Sequence, residues 1–467
     1  MIDSKNKAIM DWIEDNSSIL ERTNAALWEY AETAFEEKQS SEYLKKELKD
    51  YGFRIFPGAK GVPTSFVAEW GSGKPVIGLL AEYDALPGLS QERSTECKPH
   101  KIGAPGHACG HCTLGTAVLG AALALKVCME ENHTPGTIRF YGCPAEETVE
   151  GKVFMSRDHL FDDCDAALSW HPNDVSYVWA RKSIALYGMK YTFQGTSAHA
   201  GLDPWNGRSA ADAVELMNVG ANYLREHIPL SCRIQYVITD GGTAPNTVPD
   251  HAQVWYILRA PDSQILNDLH KRVTNLAKGA ALMTETTFKE SFVSGCYDFL
   301  PNTTLSKVIL KHFHNVGTPK WTQEDLTFAD ELYRKVPKAN IDSTCDSFHV
   351  DPEDAPHGLV KGFFDGLYNK GIMGASTDLG DVSWQIPVGC FSYAATVLGA
   401  PGHSWFYTAT CGTGIGVRGA CAAAKVLALT GWDLLNDQEL LLSVKEEHQR
   451  HTAERKYACP LEQQNNE

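Results

Sequence analysis

The sequence is poor in the features that would take it out of the ordinary globular class. It has no uninterrupted run of about 18 apolar residues, so no membrane span is predicted. Its start, MIDSKNKAIMDWIEDNSS, is charged and amphipathic and lacks the apolar stretch of a secretory leader. Positive charge is scarce: 42 lysines and arginines stand against 58 aspartates and glutamates, a formal net charge of −16. That balance speaks against nucleic acid or an anionic membrane as a partner. Internal repeats and low-complexity tracts are absent. Cysteine is abundant, at 13, but the number is odd, the chain is 467 residues long and the cysteines fall in unrelated contexts. They read as reduced thiols of a cytoplasmic protein and not as a disulfide frame. The two C-x2-C elements that a closed structural zinc site wants are not found.

What is present suits a chain of about two domains, with 43% hydrophobic and 21% charged residues and ample core. The amino-terminal stretch NKAIMDWIEDNSSILERTNAALWEYAETAF reads as helix, followed by a helix in KQSSEYLKKELKDYGF with Ser40 or Ser41 as its cap. Apolar runs then alternate with helical segments. PVIGLLAEYDALPG is a buried strand ending at Glu82 and Asp84, and TIRFYGCPAEE runs into Pro144, Glu146 and Glu147. DAALSWHP ends at His171, and GCFSYAATVLGAPGHSW leads to a loop carrying His403. Near-continuous apolar strands between helices predict an α/β domain with a mainly parallel sheet. The polar residues gather beyond the strands' carboxyl ends, where open α/β sheets bind ligands. From about Tyr187 to Phe292 the pattern changes to β-α-β-β-α-β, the ferredoxin-like order. The expected division is 1–184 with 296–467 as one domain and 185–295 as an inserted second. Residues 335–372, rich in Pro, Gly, Asp and His, read as a long loop or lid-like insertion.

The densest chemistry is GHACGHC at 106–112. Cys109 and His111 share a face only in an extended segment, so the knot belongs on a loop entering the apolar helix that follows. A helix amino end there would lower a thiol's pKa. Cys109-Gly-His111 by itself leaves open whether any metal is held. Glu146 and Glu147 could be a solvated acidic pair, although Pro144 breaks the strand and lets both face one cavity. His171 and His403 could each be satisfied core histidines. Their convergence with Cys109 on one sheet edge suits Zn2+ or a similar divalent ion, and there are too many donors for one tetrahedral centre.

The motifs AEYDALPG, GHACGHC, GCPAEE, SWHP, GTSAHAG, APNTVP and STDLGDVSW together resemble the amidohydrolase branch of the aminoacylase and glutamate-carboxypeptidase metallohydrolase family, over essentially the whole chain. The resemblance implies that 1–184 with 296–467 is a catalytic domain and 185–295 a lid and dimerisation domain. Two divalent ions are implied as well, Mn2+ or Zn2+, with Cys109 bridging them and His111, Glu147, His171 and His403 as the other ligands. It implies Glu146 as general base and Asp84 as a carboxylate orienting a ligand; otherwise Asp84 is a turn residue before Pro87. His199 matches a lid histidine that reaches a partner subunit's site, and Asn246 and Arg259 match lid residues that hold the substrate carboxylate. The alternative for Arg259 is a strand-face charge paired with a lid carboxylate. Where many relatives carry aspartate or asparagine after C-G-H this chain has Cys112, read as packing beside the centre. The implied activity is hydrolysis of an N-acyl or N-aroyl amino acid, with p-aminobenzoyl-glutamate as the leading substrate, by a homodimer or a pairing with a related subunit. A dipeptidase or aminoacylase with a different acyl group, a deaminase, and a non-catalytic metal-stabilised partner subunit stay as alternatives.

Overall fold

The computed structural model describes residues 4–367 and 371–461. The chain falls into two compact units: Met1–Arg181, Leu300–Lys370 and Val382–Tyr457 form the first, and Lys182–Phe299, Gly371–Asp381 and Ala458–Glu467 the second.

In chain order the strands are β1 (Arg54–Pro57), β2 (Phe66–Ser72), β3 (Val76–Glu82), β4 (Gly136–Cys143), β5 (Ala166–Asn173), β6 (Tyr177–Val178), β7 (Ala185–Gln194), β8 (Arg233–Asp240), β9 (His251–Ala260), β10 (Thr287–Cys296) and β11 (Val388–Ala394). The first unit carries a seven-stranded sheet in the order β1-β2-β4-β3-β5-β11-β6. The four central strands, β4, β3, β5 and β11, run parallel. Every residue of β3 and β11 is buried, as their unbroken apolar runs require when helices cover both faces of a sheet. The edges are antiparallel. They escape sequence reading because β1 is almost wholly exposed and β2 carries Glu69, Gly71 and Ser72 towards solvent.

The helices His111–Asn132 and Gly414–Asn436 pack on the sheet and on each other. The first is the one described helix long and apolar enough to cross a membrane, and most of it is buried in the protein. At the amino end the expected single helix is two, Ser4–Asp15 and Ser17–Tyr30, broken at Asn16, whose Nδ2 donates to Trp12 O at 2.8 Å. The next helix starts at Lys38 with Glu37 at its cap position, not at Ser40 or Ser41. The reason is Glu32: its carboxylate accepts from the backbone of Gln39 and Ser40 at 3.0 and 2.9 Å, the task a serine cap would have performed. Residues 335–372 are not a featureless loop. They hold a helix, Lys338–Phe348, and short 3-10 turns at Pro352–Asp354 and Pro356–Gly358; residues 368–370 lie outside the described part. The helix leaves no apolar periodicity because it fully buries none of its residues.

The second unit is an antiparallel four-stranded sheet, order β10-β7-β9-β8, packed on the helices Ala210–Leu224 and Ser263–Thr284. Ser209 and Asp262 cap those helices through their side chains. On β9, Ala252, Val254, Tyr256, Leu258 and Ala260 alternate into the core.

Candidate metal centre

Because β4, β3, β5 and β11 are parallel neighbours, whatever follows their carboxyl ends shares one edge. β3 ends at Glu82, and Asp84 follows two residues later. β4 ends at Cys143; Pro144 stops it, and Ala145 turns the chain with a left-handed φ of 55°. Glu146 and Glu147 thereby both face His111: Glu146 Oε2 lies 3.9 Å from Nε2 and Glu147 Oε1 4.0 Å from Nδ1. His171 sits within β5, not past it, and donates Nδ1–H to Pro172 O at 2.8 Å. That bond leaves its Nε2 lone pair facing Cys109 Sγ at 3.2 Å.

The loop between β3 and the helix His111–Asn132 brings in Cys109 and His111. Gly110 caps that helix at φ 80°, and a Cβ there would stand 2.7 Å from Pro172 Cγ, so only glycine lets the loop approach β5. His403, also left-handed at φ 52°, ties its backbone N–H to Ala108 O and places Nε2 3.3 Å from Glu147 Oε2. Three donor sets result, each with atoms within 4.8 Å of one another: Cys109, His111 and His171; Cys109, Glu147 and His403; Glu82, His111 and Glu146. Cys109 is common to two sets, and His111 to two.

Electrostatics and orphaned atoms fit this edge to cations. His111 Nε2 and Glu147 Oε1 are buried and make no hydrogen bond. Burial pushes the Glu147 carboxyl up to about 7 against the pull of His111. Burial, with Glu147 beside it, drives the Cys109 thiol well above its ordinary value, so the lowering expected from the helix amino end is overridden. Burial, helped by His111, lowers His171 to about 4, leaving a neutral imidazole at pH 7. Asp84 stays ionised: burial opposes its charge, but His111 and the Glu147 N–H outweigh it. Taking both oxygens to hydrogen bonds, Asp84 orients the imidazole and the carboxylate-bearing turn at once.

Sequence reasoning noted Glu82 only as a strand end and overlooked Lys152. Lys152 is fully buried, with Nζ 2.7 Å from Glu82 Oε1, while Glu82 Oε2 is 3.4 Å from His111 Nε2. The available signal was a lone lysine in the buried segment Gly151–Ser156. Two members of the 106–112 knot stand outside the donor sets. His107 accepts Cys112 N–H at Nδ1 and donates Nε2–H to Leu27 O at 2.9 Å, and burial lowers its pKa to about 4. Cys112 is fully buried in the apolar core, its thiol 3.7 Å from Thr113 Oγ1. No disulfide links the described cysteines.

The second unit holds the other expected residues. His199 is exposed; its Nδ1 accepts from the N–H groups of Gly201 and Leu202 at 3.2 and 3.0 Å, which leaves Nε2 protonated. Asn246 is exposed on the adjoining turn, where its carbonyl accepts from Ala200 N. Arg259, on β9, donates to Ser376 Oγ at 2.9 Å and to Gln235 at 3.4 Å, so both partners are neutral and not the lid carboxylate of the alternative reading.

Residues 182–284 match the family model of the M20 peptidase dimerisation domain. Over 448 residues, 93% of each chain, the protein is 40% identical to a p-aminobenzoyl-glutamate hydrolase chain of Escherichia coli (strain K12). The chain belongs to the M20 amidohydrolase family. As an M20 amidohydrolase it hydrolyses amide bonds. It is also 26% identical to the Xaa-Arg dipeptidase of Mus musculus over 449 residues, 93% of this chain and 90% of that one. Among solved structures, a dinuclear metal-binding M20 peptidase of Bacillus subtilis shares its fold, with a TM-score of 0.56 at 16% identity over 89% of this chain and 99% of that one.

Proposed function

We propose that this M20 amidohydrolase cleaves N-aroyl amino acids, with p-aminobenzoyl-glutamate giving p-aminobenzoate and glutamate. The observation that supports this most is the 40% identity, over 93% of each chain, with the Escherichia coli hydrolase that bears that substrate's name. Cys109, His111, Glu147, His171 and His403 would hold two Mn2+ or Zn2+ ions. When bound, such ions supply the Lewis acidity that brings the pKa of water towards ~7. Glu146, its side chain 12% exposed and 3.9 Å from His111, takes the proton from the attacking water and delivers it to the departing amine. His199, protonated at Nε2, donates to the developing oxyanion. Arg259 reads the leaving amino acid's carboxylate through its guanidinium fork, with Asn246 as a further polar contact to the substrate.

The partner is a second copy or a related subunit. The support is an apolar surface on the second unit: Leu216, Val219 and Tyr223 on one helix, and Val237 and Ile238 on the sheet-edge strand β8, are all exposed.

The test is a screen of N-acyl amino acids by the purified chain, with acyl group and amino acid varied separately and Mn2+ or Zn2+ supplied. Release of p-aminobenzoate, lost on chelation and restored by either ion, is expected. Cleavage of Xaa-Arg dipeptides with aroyl-glutamates untouched would move the assignment to the dipeptidase reading that the mouse relative favours.

A further inference from the structure

The Glu146–Glu147 pair stands on an improbable turn, and one distant carboxylate holds it. Ala145 has a side chain yet adopts φ 55°, a conformation such residues keep only when their surroundings impose it. After it, Val149 N donates to Glu146 O, and Glu150 N and Gly151 N both donate to Ala145 O, which closes the segment from behind. Gly151 packs so tightly that a Cβ there would fall 1.7 Å from Pro144 O. From the front, Ala145 N donates to Glu37 Oε1 at 2.9 Å, across 108 positions of sequence.

Glu37 is fully buried. It occupies the cap position of the helix Lys38–Asp50, but its carboxylate does not cap that helix. The same Oε1 instead receives Phe35 N at 2.9 Å, and Phe35 is itself left-handed at φ 66°. A single oxygen thus locks two strained positions, one on each side. The Phe35 ring then meets Phe154 edge-on at 6.0 Å, on the helix Gly151–Arg157 that follows the glutamate turn. Helix capping, the ordinary use of a carboxylate at this position, does not account for these bonds.

We propose that Glu37 is a positioning residue for the metal centre: through Ala145 N it aims Glu146 and Glu147 at His111. The proposal rests on the roles given above to those two glutamates. The requirement is an acceptor at Oε1, not a charge. Gln keeps that acceptor; Ala removes it; Asp keeps the carboxylate but draws it back by one methylene.

The experiment compares Glu37→Ala, Glu37→Gln and Glu37→Asp in the full chain. It measures kcat and KM on p-aminobenzoyl-glutamate, Mn2+ and Zn2+ affinity by chelator competition, and Tm. Glu37→Ala is expected to lower kcat by about 10-fold to 100-fold, with KM within about twofold. Ion affinity should fall by about 10-fold or more because Glu147 swings away. Glu37→Gln should return both within about threefold of wild type, and Glu37→Asp should behave as Glu37→Ala, which covers the case in which Glu37→Ala does not fold. A loss of Tm alone, with kcat and ion affinity intact, overturns the proposal, and so does a Glu37→Gln variant as impaired as Glu37→Ala. Should Glu146→Gln itself retain turnover, the base assignment fails separately, and the ion-affinity comparison alone decides the role of Glu37.

Discussion

Asp84 stands 2.9 Å from His111 Nδ1 and accepts its proton, which commits the other ring nitrogen, Nε2, to the space shared with Glu82 and Glu146. The second Asp84 oxygen accepts Glu147 N–H, also at 2.9 Å. Asparagine can reproduce only one of these bonds, since its amide nitrogen offers no acceptor. Asp84→Asn should therefore fold normally and bind Mn2+ or Zn2+ about 10-fold to 100-fold more weakly. Unchanged affinity in a metal titration would remove Asp84 from the support of the centre.

The two adjacent glutamates should separate on mutation. Glu146→Gln should keep its ions and lose kcat by at least ~10²-fold, because proton transfer goes. Glu147→Gln should lower ion occupancy instead. Metal analysis showing the opposite pattern would swap their roles.

Ion affinity should rise with pH. Burial, seconded by Glu147, holds the Cys109 thiol protonated without a cation, and burial holds the Glu147 carboxyl near 7. An ion takes thiolate and carboxylate, so its binding expels protons, and lowering the pH opposes it by about tenfold per unit for each proton released. His171, lowered by burial to about 4, is already neutral and adds nothing to this slope near neutrality. Calorimetric titrations at pH 6, 7 and 8 check the sign; an affinity independent of pH would mean that neither Cys109 nor Glu147 gives up a proton to the ion.

Arg259 should matter only to substrates with a carboxylate. At a net charge of −16, long-range steering of an anion is unfavourable and a local cation must compensate. Arg259→Ala should raise KM sharply for an acyl-glutamate and barely alter an uncharged amide. Equal losses on both would take Arg259 out of carboxylate binding.

If His199 serves a partner subunit's centre, His199→Ala and Glu146→Gln are each nearly inactive but complement on mixing. Random exchange makes about half the dimers mixed, each with one intact site, so roughly a quarter of wild-type activity should return. A mixture that stays inactive while mixed dimers are shown to form would place the action of His199 in its own chain.

By itself the sequence determined the elements whose burial is written locally. Strands β3, β4, β5 and β11 are near-continuous apolar runs, and Glu82, Asp84, Glu146, Glu147, His171 and His403 stand at or beyond their ends. The β-α-β-β-α-β order of the second unit was equally legible, because alternation on β9 and helical spacing on its helices repeat within short windows. The exposed strand β1 and the helix Lys338–Phe348 were not, since each buries too little to leave a period. Within the 106–112 knot, spacing could not tell donors from packing. Only the fold turned His107 to Leu27 O and Cys112 into the core while bringing Cys109 to His171. The tertiary structure alone also joined Lys152 to Glu82 and Glu37 to Ala145. Periodicity reports which face a residue buries; which polar atom it meets there is decided by chain segments tens to hundreds of positions away.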